Sequence, residues 1–319
     1  MQVGIIGINH RLADLKLREL LAKACERRFK TVIYPTHTSL LLSTCNRTEI
    51  YFSSADLAET HSQILDVLRQ EVTDPFDTQL YSFFGLDCFT HLSKVTAGLD
   101  SACVAETEIQ GQVKNAYEWG RFHQKLPSDL HYLFQKSLAI GKHVRSSLHI
   151  PSGLPTFEDA LYEIALQHLP DIRSARILFV GASAINKTLI NFFKSKNHNL
   201  SLYSKSKQDL NVPHINQLSE WESFDMVIFG SKSADYLIKE TQTPQKLVFD
   251  LSVPRNVDPA LPLALYNIDH VQRHLISRRQ TLEHLLEEGQ SLIFSLSKRH
   301  FELYQNKIEH KLKIAAMIA

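Results

Sequence analysis

A chain of 319 residues can build two folded domains and an extra element besides. With 44% hydrophobic and 22% charged residues it has the balance of an ordinary globular protein, and a net charge of +1 excludes a strongly basic chain that coats nucleic acid. The longest apolar runs, such as Leu40–Leu42 and Ile177–Val180, are far too short for a bilayer, and Met1–Ile8 lacks the order of a secretory signal, so a cytoplasmic location is expected.

The first strand signal is Val3–Ile8. A helix is predicted from about Asp14 to Lys30, where Leu17, Leu20, Leu21, Ala24 and Cys25 share one apolar face. Strands at Ser39–Ser43 and Thr48–Phe52 follow, separated by Thr44-Cys45-Asn46-Arg47. Helices are expected near Leu57–Arg69, Asp87–Ala97, Ile109–Phe122 and Leu130–Arg145, the last capped by Ser128. Pro151, Gly153 and Pro155 mark a linker.

Beyond the linker the rhythm changes. Strands at Arg176–Val180, Asn199–Tyr203, Met226–Gly230 and Leu247–Val253, with a helix ending near Ser195, predict a doubly wound parallel sheet. After Pro262 there is no proline, and Leu275, Leu282, Leu285, Leu292 and Leu296 recur at roughly heptad spacing. One long helix of ~40 residues, about 60 Å, is expected there. Three regions result: 1–150 as an α+β catalytic domain, 151–265 as a Rossmann-like domain, and 266–319 as a long helix.

The turn Thr44-Cys45-Asn46-Arg47 is the most informative stretch, although a single cysteine beside a strand is more often packed than catalytic. It sets a thiol at the end of an apolar strand with a guanidinium two residues on, an arrangement that favours the nucleophilic thiolate. Cys25, Cys45, Cys88 and Cys103 form no Cys-x-x-Cys pair, and Cys88 with His91 supplies only two ligands, so no metal site is expected. After Val180 the turn reads Gly181-Ala182-Ser183-Ala184-Ile185-Asn186, where a dinucleotide loop would have Gly-x-Gly-x-x-Gly. Ser183 still admits close approach of a phosphate, whereas Asn186 is expected to loosen the helix–strand fit. The next strand ends in Ser204 and Lys205 with no acidic residue, which suits the 2′-phosphate of NADP better than the ribose of NAD.

Ser43–Tyr51, STCNRTEIY, resembles the active-site signature of the glutamyl-tRNA reductases. So do Gly7–His10 with Arg18-Glu19, GLDSACVAETEIQGQ at 98–112, Leu133–Arg145 and DLSVPRNVDP at Asp250–Pro259, in the family's order. The resemblance implies that Cys45 attacks glutamyl-tRNA(Glu) to form a thioester, which NADPH reduces to glutamate-1-semialdehyde in the first step of tetrapyrrole biosynthesis. It implies Arg47 as the clamp on the substrate carboxylate, with Thr44, Asn46, Ser101, Glu106, Thr107, Glu108 and Gln112 as further contacts. His91 is either a catalytic proton donor or a positioning group.

AETEI at Ala105–Ile109 departs from the family's Gly-Glu-Pro-Gln-Ile, and the C-terminal dimerisation region looks shortened, leaving the long helix as the route to a homodimer. Handover of the aldehyde to glutamate-1-semialdehyde aminomutase is a family expectation. For tRNA the sequence itself offers Lys136, Lys142, His143 and Arg145 on one helix. An NADP dehydrogenase of a small metabolite would explain the second half but not the Cys45 turn, and a binding protein that has lost cofactor affinity would account for the eroded glycine loop.

Overall fold

The computed structural model describes residues 1–30, 34–100, 108–148, 155–204, 215–231, 233, 235–276 and 283–318, without the side chains of 215–217, 283–285, 315, 317 and 318. The chain divides into two compact units, one of Met1–Ser152 with Thr281–Ala319, the other of Gly153–Gln280.

The first unit is built on an antiparallel sheet in the order β2-β3-β1-β4. Its strands are β1 (Gly4–Asn9), β2 (Thr38–Ser43), β3 (Arg47–Ser53) and β4 (Tyr81–Phe84). Both β1 and β3 are buried along their whole length, because helices cover both faces of the sheet. On one face lie α1 (Leu15–Cys25) and α2 (Leu57–Glu71), capped by the carboxylates of Asp14 and Asp56. Their Leu17, Leu21, Ile64 and Leu68 pack with Ile6, Ile8, Ile50 and Phe52. The predicted first helix stops at Cys25 and runs on as a π-helical turn, Glu26–Lys30.

On the other face, α3 (Gly85–Ala97), α4 (Glu108–His123) and α5 (Ser128–Ser147) close over Ile5, Leu40, Leu42 and Tyr51. Ser128 is not the cap of α5: Pro127 holds that place, without a side-chain hydrogen bond, since its fixed φ of −68° already sets the entry angle. Between α3 and α5 the backbones nearly touch. A Cβ on Gly141 would lie 2.7 Å from the Thr96 carbonyl carbon.

The second unit begins with α6 (Phe157–His168), closed by a reciprocal Thr156–Asp159 capping box. Its parallel sheet has the order β6-β5-β7-β8-β9. The strands are four residues each: β5 (Ile177–Val180), β6 (Leu200–Tyr203), β7 (Met226–Phe229), β8 (Leu247–Asp250) and β9 (Ala264–Asn267). Helix α7 (Ala184–Ser195) connects β5 to β6, and α8 (Ile268–Ile276) follows β9. The expected Rossmann-like sheet is therefore present, and strand order reverses between β5 and β7.

The single helix expected beyond Pro262 is instead preceded by β9 and represented by α8 and α9 (Glu283–Ile318), with 277–282 outside the described residues. These two helices belong to different units. Helix α9 packs Ile293 into the core under α3 and α5, and its buried Ser297 hydroxyl donates to Ser93.

The close α3–α5 approach generates one expectation. Gly141→Ala should cost about 1–3 kcal/mol, read as a lower urea midpoint with an unchanged m-value.

Candidate functional site

The hairpin between β2 and β3 positions Cys45. Thr44 Oγ1 accepts the backbone N–H groups of Asn46 (3.2 Å) and Arg47 (3.1 Å), and Thr44 N–H donates to Arg47 O at 2.8 Å. This local ring of bonds folds the turn tightly and leaves the half-buried Cys45 at its tip. Two outside donors tie the turn down: Arg18 Nη1 reaches Cys45 O at 2.7 Å, and His10 N–H reaches Asn46 O at 2.9 Å. Thr44 and Asn46 thus shape the loop through hydroxyl and main chain.

Immediately behind the turn lies a buried charge network. Alternation along β3 sends Arg47, Glu49 and Tyr51 to the same face, that of α3 and α5. Arg47 Nη1 bonds Glu49 Oε1 at 2.8 Å and Asp100 Oδ2 at 2.9 Å, while Nη2 bonds the Asp100 carbonyl at 2.7 Å. The side chains of Arg47 and Glu49 are 1% and 0% exposed. Glu49 also accepts from Tyr51 (2.7 Å), Tyr81 (2.5 Å) and His91 Nε2 (2.8 Å). His91 also packs against the rings of Tyr81 and Phe83, which contact each other.

Burial works against ionisation of Glu49, but Arg47 and His91 outweigh it and hold the carboxyl well below its usual range. Burial likewise opposes the Arg47 charge, and Glu49 and Asp100 more than restore it. Beside them, Tyr51, Tyr81 and Cys88 are pushed up by burial and by the Glu49 charge, which keeps Cys88 a thiol. Among the described residues no three metal-ligating side chains converge.

Two glycines make the network possible. Gly7 pairs with Glu49 on β3 and Tyr81 on β4, and a Cβ there would fall 2.7 Å from the Tyr81 ring. Gly98, at φ +74°, ends α3 and turns the chain so that Asp100 meets Arg47. Glu49, Tyr81 and Asp100 were not among the site residues expected from sequence. The signal for Glu49 was a second charge, two residues after Arg47, on a strand that is buried along its whole length.

Of the other expected contacts, Ser101, Glu106 and Thr107 lie outside the described residues. Glu108 begins α4, and Gln112 is half-buried one turn later. The Arg47 network is drawn from β3, β4, α3 and the turn after α3, whereas these two residues belong to α4. Arg145, one of the basic residues of α5, bonds Gln110 on α4.

In the second unit, Gly181, Ala182 and Ser183 lead from β5 into α7 at the reversal of strand order, the usual crevice for a dinucleotide. Gly181 has φ +93°, and a Cβ there would meet the Gly230 carbonyl oxygen at 2.6 Å. Ser183 caps α7 by accepting the Asn186 N–H, with Ala184 and Ile185 forming its first turn. Asn186 does not loosen the joint as expected. It is fully buried and donates to the carbonyls of Val180 (3.1 Å) and Gly181 (2.8 Å), replacing close packing by a hydrogen-bonded clasp.

The DLSVPRNVDP segment closes the neighbouring strand end. Asp250 accepts backbone N–H groups of Ser252, Asn256 and Val257, and Asn256 Oδ1 accepts the hydroxyls of Ser231 and Ser252. Burial pushes the Asp250 carboxyl up to about 6 against these donors. Ser204 is buried at the end of β6, and Lys205 lies outside the described residues. The loop fits a dinucleotide: a glycine at a positive φ, a capped helix N-terminus, and backbone free to approach phosphate.

A family model for the N-terminal domain of glutamyl-tRNAGlu reductase matches residues 6–148. The glutamyl-tRNA reductase of Chlamydia pneumoniae is 31% identical over 97% of this chain and 95% of its own. The chain belongs to the glutamyl-tRNA reductase family. That of Cyanophora paradoxa is 26% identical over 92% of this chain and 76% of its own. Among solved structures, the Methanopyrus kandleri reductase shares the fold, with a TM-score of 0.51, 21% identity, and coverage of 98% of this chain and 82% of that one. The residues discussed above thus stand within an oxidoreductase family, and no helix among the described residues is long and apolar enough to cross a membrane.

Glu49→Gln tests the network. Folded Glu49 binds its proton less tightly than the unfolded residue at about 4.5, so its contribution is full at neutral pH and drains as pH falls below that value. Urea unfolding should show a loss of about 3–5 kcal/mol at pH 7 and a flatter acid branch for the variant.

Proposed function

We propose that the chain reduces glutamyl-tRNA(Glu) to glutamate-1-semialdehyde with NADPH, through a thioester on Cys45, supplying the first step of tetrapyrrole synthesis. The observation that carries the reading is a half-buried thiol at the tip of a rigid turn, backed by the buried Arg47–Glu49 pair, in a chain of this family. A free carboxylate resists hydride because it is already anionic. The aminoacyl ester offers a leaving group instead: the Cys45 sulfur bonds the carbonyl carbon, the carbon–oxygen bond to the terminal ribose breaks, and the thiol proton ends on the ribose hydroxyl. The thioester that remains has weaker resonance stabilisation. NADPH, when bound, would supply hydride to this carbonyl carbon; the carbon–sulfur bond then breaks, releasing the aldehyde and returning Cys45 as the thiol.

Arg47 is the candidate for the substrate's side-chain carboxylate, as a planar bidentate donor. The geometry adds a condition. Its Nη groups already hold Glu49 and Asp100, and Asp100 is the more exposed partner at 19%, so a carboxylate ligand would share or replace Asp100. His91 donates its Nε2–H as a hydrogen bond to the ionised Glu49, so in the neutral ring Nδ1 is the acceptor. Glu49 therefore acts as a positioning residue for both.

The loop Gly181–Asn186 would hold the cofactor's pyrophosphate, with Ser204 and Lys205 on the 2′-phosphate and Ser183 keeping its hydroxyl proton for a phosphate oxygen. Thr44, Asn46, Ser101, Glu106, Thr107, Glu108 and Gln112 are proposed to line the substrate side. A cytoplasmic enzyme, dimerisation through α9 and passage of the aldehyde to the aminomutase complete the proposal.

The deciding experiment is acid-quenched trapping of labelled glutamate on the protein without NADPH. Label on Cys45 is the expected result; label retained in Cys45→Ser would overturn the covalent step. Turnover of NADPH with charged tRNA should fall by at least ~10³ in that variant. Separately, Gly181→Ala should weaken NADPH binding by about tenfold or more in calorimetry, since the methyl group is driven against the Gly230 carbonyl, while thioester formation persists.

A further inference from the structure

The second unit carries a cavity of about 710 Å³ away from the strand-order reversal, at the outer edge of the sheet. Its floor is the edge strand β9, and its walls are the last turn of α6 and the first turns of α8. Strand β8 separates β9 from β7, so the cavity does not belong to the crevice at Gly181 and Gly230.

Its polar lining is rich in donors. His168, His270, Arg273 and His274 face it together with Gln167 and Gln245, and among the described residues no carboxylate lines it. The His270 tautomer is fixed: Nδ1 accepts the Asn267 N–H at 3.1 Å, so in the neutral ring the proton sits on Nε2. Burial, and then the nearby Arg273 charge, lower the pKa of that ring, against the opposing pull of Asp269. His168 is held by Tyr266 at 2.7 Å and His274 by Glu163 at 3.0 Å, which orients both rings before any ligand arrives. The β9 ladder adds to this. Ala264 N–H bonds Lys246 O in the run-up to β8, so alternation turns the Leu265 N–H towards the open edge.

We propose that this cavity is a phosphate-binding site, with Arg273 supplying charge and His270 Nε2–H an oriented donor. The Tyr266 ring gives its floor an apolar surface suited to an organic group carried by that phosphate. The phosphate can belong to a small phosphorylated metabolite or to a nucleic-acid backbone. The site stands on the second unit alone and does not rest on the reductase reading.

The test uses the full chain with inorganic pyrophosphate as probe, followed by calorimetry and by the ring resonances of His270. Arg273 is exposed, so Arg273→Gln and Arg273→Glu should leave the thermal midpoint unchanged. Pyrophosphate should shift the His270 ring signals, and both variants should weaken that response by about tenfold or more. An unmoved His270, or a response equally strong in Arg273→Glu, overturns the proposal. If uncharged tRNA also binds about tenfold less tightly to Arg273→Glu, the phosphate is that of RNA; an unchanged tRNA affinity with a lost pyrophosphate response assigns the site to a small metabolite.

Discussion

An arginine and a glutamate two residues apart on a fully buried strand govern the first unit. Neither Arg47 nor Glu49 could be charged there alone, because the desolvation of each ion costs several kcal/mol. Each therefore requires the other, and the pair requires its further partners: Asp100 for the outer face of Arg47, and Tyr51, Tyr81 and His91 for the lone pairs of Glu49. Those partners come from β3, β4, α3 and the turn after α3. Satisfying one charge pair thus fixes how four elements meet, and the Cys45 turn sits at the end of the strand that carries the pair.

The glycines of this unit follow from the same requirement. Gly7 removes a side chain from beneath Tyr81 so that its hydroxyl can reach Glu49, and Gly98 ends α3 in a conformation that aims Asp100 at Arg47. What reads in the sequence as separate short motifs is one constellation held together by hydrogen bonds. The second unit solves its own problem differently. Where close packing of a helix on a strand would call for a third glycine, Asn186 bonds back to the carbonyls of Val180 and Gly181. A polar clasp takes the place of van der Waals contact, and its geometry serves the same turn.

Much of this was legible in residue order and some was not. Cys45 and Arg47 stand out because the stretch Ser43–Tyr51 resembles the family's active-site signature, and the parallel sheet is visible in its apolar runs. Glu49 was hidden because its partners Tyr81 and His91 lie 32 and 42 positions along the chain. Strands β4 and β9 escaped notice since each has four residues and is only partly buried, so neither shows a clear alternation. Helix α6 was missed although its Thr156-x-x-Asp159 box is a local signal. The heptad-like leucines after Pro262 concealed a change of unit, because periodicity reports a helix face without saying what covers it.

The return of α9 to the first unit also bears on how the chain acquires its structure during synthesis. The core around Phe89, Leu92, Val95 and Phe134 is completed by Ile293, and Ser93 by Ser297, from a helix made after the entire second unit. A ribosome emits the second unit as one uninterrupted stretch, able to close on contacts of its own, while the first still lacks a wall. Throughout that interval the strip of α3 and α5 that α9 will cover remains open to water. The part of the protein that starts first must therefore finish last, and its exposed surface during that wait is a natural point of engagement for chaperones.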